Sequence, residues 1–156
     1  MPAARRSFLQ AFGSTGALLA LVGAGVLRPG RAVAVDFPRG PFEARNVADA
    51  LRLIGAAGAE ASREIVLKTP EIAENGAAVP IEVASQIAGT TRLSVLVDKN
   101  PFPLALQFNF APGAQPRFQA KLKMAESSRL RVVALASGRH YTVFRDVKVT
   151  VGGCGE

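Results

Sequence analysis

LALQFNFAPGAQPRFQAKLKM, residues 104–124, is the stretch whose reading decides the fold. In its first seven residues Leu104, Leu106, Phe108 and Phe110 alternate with Ala105, Gln107 and Asn109. In its last eight, Phe118, Ala120, Leu122 and Met124 alternate with Arg117, Gln119, Lys121 and Lys123. A period of two belongs to an extended chain, whose successive side chains point to opposite faces. The segment APGAQP between the runs, with two prolines and a glycine, is turn chemistry. Each run therefore predicts a strand with one dry and one wet face, with Phe108, Phe110 and Phe118 in the core. The wet face of Arg117, Lys121 and Lys123 is a solvated basic surface, or a dock for an anionic partner.

Outward from this stretch, less regular runs of the same kind lie at 64–69, 78–85, 91–98, 129–136 and 140–151. They are separated by ENG at 74–76, AGTT around Gly89, KNPFP at 99–103 and SGR at 137–139. Seven short strands at spacings of roughly 8–14 residues, with no helices between them, predict a mainly β chain. The expected fold is an immunoglobulin-like antiparallel β-sandwich over 64–151, preceded by one short amphipathic helix within an N-terminal extension at 35–63. In the helix, Val47, Ala50, Leu51 and Ile54 share a face, Asn46 is the N-cap with Asp49 three residues on, and Gly55 and Gly58 offer stops. In the last strand Val147, Val149 and Val151 should face in, with Lys148 and Thr150 facing out.

Residues 1–34 have a different character, with four arginines (Arg5, Arg6, Arg28 and Arg31), no acidic residue, and an apolar run ALLALVGAGVL at 17–27. A membrane-spanning helix needs about 20 apolar residues, so this shorter run reads as the core of a cleavable export signal. The Arg5–Arg6 pair followed by Phe8 and Leu9, and the AVA site at 32–34, resemble a twin-arginine (Tat) signal. An ordinary Sec signal is the alternative, and Arg28 and Arg31 between core and cleavage site weigh against it. Cleavage after Ala34 removes four of the positive charges, so the formal net charge falls from +7 to +3. The remaining cations are scattered and no aromatic ladder interleaves them, which excludes a nucleic-acid surface. No membrane association is expected once the signal is gone.

The mature chain of about 120 residues is one domain with enough bulk for its own core. Its single cysteine, Cys154, lies between Gly152, Gly153 and Gly155, Glu156 at the C-terminus. One cysteine permits no internal disulfide, and an odd thiol in an exported protein pairs with another molecule or reacts. Two histidines are needed for a cupredoxin-type copper site, and only His140 is present. Cysteine-protease chemistry needs the thiol and its histidine held on a rigid scaffold, which a glycine tail does not supply. Prenylation needs three residues after the cysteine, and only Gly155 and Glu156 follow. His140 itself reads as a strand-start residue after the SGR turn. No catalytic residue, metal or cofactor is assigned to the chain. What remains for Cys154 is presentation, because a glycine hinge lets the thiol swing into a channel in another protein.

The ending VKVTVGGCGE, together with PEIAENGAAVPIEV at 70–83, LVDKNPFPLALQFNF at 96–110 and LKMAESSRLRVVA at 122–134, resembles the SoxY family. These are the sulfur-carrier subunits of the periplasmic thiosulfate-oxidising (Sox) system, and the resemblance covers most of residues 43–156. Glu156 stands where the family's Gly-Gly-Cys-Gly-Gly arm has its last glycine. The resemblance implies a periplasmic non-enzyme with a flexible C-terminal arm at 152–156, on which Cys154 carries sulfur covalently. It also implies a SoxZ-like partner subunit, a haem-containing thiosulfate-conjugating enzyme and a sulfate-releasing hydrolase, with a sulfane oxidase as an optional further partner. The alternative is a non-enzymatic periplasmic binding or assembly subunit whose terminal thiol forms only intermolecular disulfides.

Overall fold

The computed structural model describes residues 38–150. The expected export signal with Arg5 and Arg6, the expected processing site after Ala34, and the residues Val151, Gly152, Gly153, Cys154 and Gly155 lie outside the described residues. The elements are α1 (Gly40–Glu43), α2 (Val47–Leu53), β1 (Glu60–Ala61), β2 (Ile65–Lys68), β3 (Ile72–Ala73), a 3-10 turn (Gly76–Ala78), β4 (Val79–Ser85), β5 (Thr90–Val97), β6 (Leu104–Asn109), β7 (Arg117–Leu122), β8 (Ser128–Ala136) and β9 (Arg139–Val149).

Helix α2 forms where its local signals place it. The Asn46 side chain accepts from the Asp49 backbone N–H at 2.8 Å and donates to the Asp49 carboxylate at 2.8 Å. That reciprocal cap holds the Asp49 carboxyl below its ordinary pKa, with the Arg52 guanidinium adding to the effect. The other end closes with the Gly55 N–H donating to the Arg52 carbonyl and the Ala56 N–H to the Leu51 carbonyl. Gly55 sits at φ +79°, where only glycine is unstrained, as this C-terminal cap requires. A second, one-turn helix, α1, carries Pro41 in its first turn.

The strands form an immunoglobulin-like sandwich of two sheets. The larger has the order β1-β9-β8-β5-β6, with β3 also on β9, and the smaller has the order β2-β4-β7. All pairings among the seven longer strands are antiparallel. Two short parallel pairings were not expected: β1 joins β9 at Tyr141 and Thr142, and β3 joins it at Lys148 and Val149. The runs on either side of APGAQP fall in different sheets, so that loop crosses the sandwich. The β8–β9 hairpin turns on Ser137 at φ 49° and Gly138 at φ 78°, a two-residue turn of the primed type.

The core has two compartments. Leu93, Val95, Val97, Leu130, Val132, Ala134 and Val147 of the larger sheet meet Ile65, Leu67, Val79, Ile81, Val83 and Leu122 of the smaller. On the other side of the larger sheet, Ala50 and Ile54 of α2 pack on Leu96, Leu104 and Val133, with Val47 and Leu51 alongside. Strand β5 is therefore covered on both faces, and Leu93 to Val97 are all buried.

Three expectations need correction. A register shift between Val95 and Leu96 pairs them with Leu106 and Leu104, so Ala105 is bulged. Leu104 consequently packs under the helix while Leu106 faces the sandwich core, and the four alternating residues do not share one face. Phe108 is not a core residue: it is 38% exposed, because β6 is a sheet edge, and Phe110 and Phe118 are only partly buried. In β9, Val147 is buried and Lys148 and Thr150 are exposed as expected, but Val149 is only half-buried and the strand ends there.

Candidate functional site

Strand β9 delivers the chain to the candidate arm, and its end is held from three directions. Lys148 N–H donates to the Glu71 carbonyl at 2.9 Å, and Thr150 N–H to the Ala73 carbonyl at 3.0 Å. The Thr150 hydroxyl donates to the Glu74 carbonyl at 2.9 Å. From the other side, the Ser127 hydroxyl accepts from Val149 N–H at 2.9 Å and donates to the Val149 carbonyl at 3.4 Å. Both backbone groups of Val149 are thus tied to one side chain.

The loops that supply these partners are tied to one another. The Asn100 side chain donates to the Lys123 carbonyl at 2.7 Å and accepts from Ala125 N–H at 3.0 Å, stapling loop 98–103 to loop 123–127. The Ser128 hydroxyl accepts from Lys99 N–H at 3.0 Å. Met124 N–H donates to the Gly76 carbonyl at 2.7 Å, which brings in loop 74–78, where the Asn75 side chain accepts from Ala77 N–H at 2.8 Å. Met124 is fully buried beneath this junction. Side chains that replace missing backbone partners are what allow irregular segments to be fixed in one arrangement.

Three ion pairs border this end. Arg131 and Asp98 meet at 3.1 Å with both side chains about one-fifth exposed. The Lys99–Glu126 and Arg129–Asp146 pairs, at 3.3 and 3.4 Å, are solvated and contribute little. A groove of about 380 Å³ lined by Asp98, Lys99, Ser127, Arg129, Asp146 and Lys148 runs beside the strand end. A larger concavity of about 650 Å³, lined by Lys68, Pro70, Pro80 and Lys121, lies on the smaller sheet and touches none of the three loops.

Among the described residues no group of three or more His, Cys, Asp or Glu side chains is placed to hold a metal ion. His140 packs against the C-terminal cap of α2, its imidazole hydrogen-bonded to the Ile54 backbone. Its ring lies against Gly55, with Cε1 3.4 Å from where a β-carbon would stand. Burial first, and the nearby Arg92 second, lower its pKa below the ordinary 6.5. His140 therefore docks a helix. Arg117, Lys121 and Lys123 are exposed on or just beyond β7.

The three resemblance-bearing segments outside the tail converge here: 70–83 supplies Glu71 to Gly76, 96–110 supplies Asp98 to Pro103, and 122–134 supplies Lys123 to Ser128. The roles of Asn100, Ser127, Ser128 and Thr150 escaped sequence reasoning. Their one visible signal is the placement of short polar side chains in turn segments, where such groups bind backbone.

A family model described as sulfur oxidation protein SoxY matches residues 50–154, so the match runs to Cys154 itself. The structure of the sulfur carrier protein SoxY from Chlorobium limicola f thiosulfatophilum is 37% identical, with a TM-score of 0.62 over 69% of this chain and 95% of that one. A chain from a structural study of T cell activation by the bacterial superantigen toxic shock syndrome toxin-1 is 15% identical over 55% of this chain and 98% of its own, with a TM-score of 0.39. No curated protein matches the chain at a significant level. With the family match spanning two-thirds of the sequence and its sandwich shared with a solved relative, the chain belongs to the SoxY family.

Proposed function

We propose that the chain is a covalent sulfur carrier in thiosulfate oxidation, with Cys154 as the attachment point. Family membership and the matched sulfur carrier protein support the carrier role in sulfur oxidation. The observation that carries the finer reading is the single thiol of the chain, four residues beyond Thr150, which its hydrogen bonds to Ala73 and Glu74 hold just past the end of β9. Four extended residues span about 13 Å. Gly152, Gly153 and Gly155 supply the backbone freedom to thread that span into a narrow channel.

In this reading the chain catalyses nothing and partner enzymes act on its cargo. The Cys154 thiol loses its proton, the resulting thiolate forms a sulfur–sulfur bond to the sulfane sulfur of thiosulfate, and the two electrons released pass to a haem-containing conjugating enzyme. A hydrolase then adds water at the terminal sulfone, releasing sulfate and leaving a persulfide on Cys154. A sulfane oxidase is the further enzyme that would act on that persulfide. Attachment keeps each intermediate at high effective concentration for the next site. Glu156 places negative charge near the thiol, which disfavours the thiolate and slows conjugation without abolishing it.

The Arg5–Arg6 leader supports export to the periplasm by the twin-arginine route, which moves folded cargo. That route suits a chain that crosses together with a SoxZ-like subunit lacking its own signal. The test is thiosulfate oxidation by the reconstituted system with Cys154→Ser. Loss of oxidation with fold and subunit binding retained supports the carrier reading, and full oxidation by the variant refutes it.

A further inference from the structure

The sandwich is closed along one side and open along the other. On the closed side, β1 and β3 cover the two ends of β9, and Arg145 Nε donates to the Leu67 carbonyl of β2 at 3.1 Å. The edge of the larger sheet is thereby covered and joined to the edge of the smaller. On the other side, among the described residues, β6 pairs only with β5, and β7 only with β4. The Pro116 carbonyl accepts from Ser85 N–H at 2.9 Å, which fixes the alternation along β7. Phe118, Ala120 and Leu122 turn their peptide groups to β4, and Gln119 and Lys121 turn theirs off the edge.

Between these two free edges lies aromatic surface: the Phe108 and Phe118 rings, one from each sheet, meet at a tilt with centroids 4.2 Å apart, and Phe108 is exposed. Two neighbouring unpaired edges with exposed aromatic surface between them form a template for another chain.

Charge selects the occupant. Among the described residues Arg117, Lys121 and Lys123 have no carboxylate partner, as is also true of Arg92, Arg145 and Lys148, but the first three lie together on or just beyond one edge strand. Neither β6 nor β7 contains an Asp or Glu. A second copy docked antiparallel across β7 would set cations against cations, which is destabilising across a strand pair. The same cations attract a strand flanked by carboxylates.

We propose that the β6–β7 side is the docking face for a different protein chain, one that presents an unpaired strand edge bordered by acidic side chains. This rests on the SoxZ-like subunit of the preceding reading, and assigns that subunit to this side of the sandwich.

The test measures association of the mature chain with the SoxZ-like subunit by titration calorimetry. Lys121→Glu combined with Lys123→Glu should weaken binding about tenfold or more at low ionic strength, with the gap narrowing as salt screens the charges. Lys121→Gln with Lys123→Gln, which removes charge without reversing it, should weaken binding by a smaller factor. Lys148→Glu, on the closed side, should leave affinity within about twofold, since isolated exposed charges contribute little. Equal binding by all variants, or loss confined to Lys148→Glu, overturns the proposal and leaves the subunit reading standing. A wild-type chain that does not bind the subunit overturns both. Self-association of the wild-type chain that the Lys121 and Lys123 variants abolish overturns the choice of occupant.

Discussion

The Thr150 hydroxyl donates to the Glu74 carbonyl at 2.9 Å, so the last residue of the described chain is bonded to the loop beside it through its side chain as well as its backbone. In the proposed carrier reading these bonds fix the point from which the chain leads on to Cys154.

Asn100 is the staple of the surrounding loops, and its removal leaves the Lys123 carbonyl and the Ala125 N–H without their partner. Asn100→Ala should cost about 1 kcal/mol, the net worth of a hydrogen bond between groups that water can still reach. Asn100→Asp keeps the acceptor for Ala125 and should cost less. Denaturant melts give the energies, and faster hydrogen exchange at the Ala125 amide should accompany the Ala variant. Unchanged exchange there would show that the loop is held by other contacts.

The two ends of α2 should each respond to a single change. Asn46→Ala removes the acceptor of Asp49 N–H and should cost about 1 kcal/mol. Gly55→Ala forces a side chain onto a residue at φ +79° and brings it to 3.4 Å from His140, so it should cost at least as much, about 1 kcal/mol or more. Each change should lower Tm by several degrees, about 3–6 °C.

These positions also show what kind of information a sequence displays. Asn46, Asp49 and Gly55 were legible because a helix cap is a contact between residues a few positions apart. Seven strands were legible from turn chemistry and period. The parallel pieces Glu60–Ala61 and Ile72–Ala73 were not, since two residues have no period. The bulge at Ala105 is hidden for a similar reason: the alternation runs straight through it, and only pairing with Val95 and Leu96 breaks the count. Phe108 was misplaced because hydrophobicity does not say whether a strand is central or an edge. At the candidate site, Cys154 stood out by being the only thiol, whereas Asn100 and Ser127 act across 25 and 22 positions, and no local signal marks that.

His140 should impose a pH dependence on stability. Its pKa in the folded protein lies below 6.5 because burial and Arg92 disfavour the imidazolium. As pH falls, the unfolded chain takes up that proton first. The contribution of neutral His140 is therefore full above about pH 6.5 and is lost as pH drops toward the folded value. Melting temperatures of wild type and His140→Gln, taken from about pH 7.5 to about pH 5, should show a decline in the wild type that the variant lacks. Parallel curves would remove His140 as the source.

Export should depend on Arg5 and Arg6, which lie outside the described residues and form the one arginine pair of the leader. Replacing both with lysine should leave precursor in the cytoplasm, and the normal exported protein should begin near Val35. Undiminished export of the folded protein by the double-lysine variant would contradict the twin-arginine assignment.

The central claim is that sulfur rides on Cys154. The direct measurement is mass spectrometry of the C-terminal peptide after the folded protein is incubated with thiosulfate and the haem-containing conjugating enzyme. The account predicts a thiosulfonate adduct on Cys154, conversion to a persulfide when the hydrolase is added, and removal of either by a thiol reductant, because a thiolate attacks such sulfur–sulfur bonds. Cys154→Ser should carry neither adduct. A modification that persists in the serine variant, or a wild-type thiol found only in disulfide-linked dimers, would contradict it.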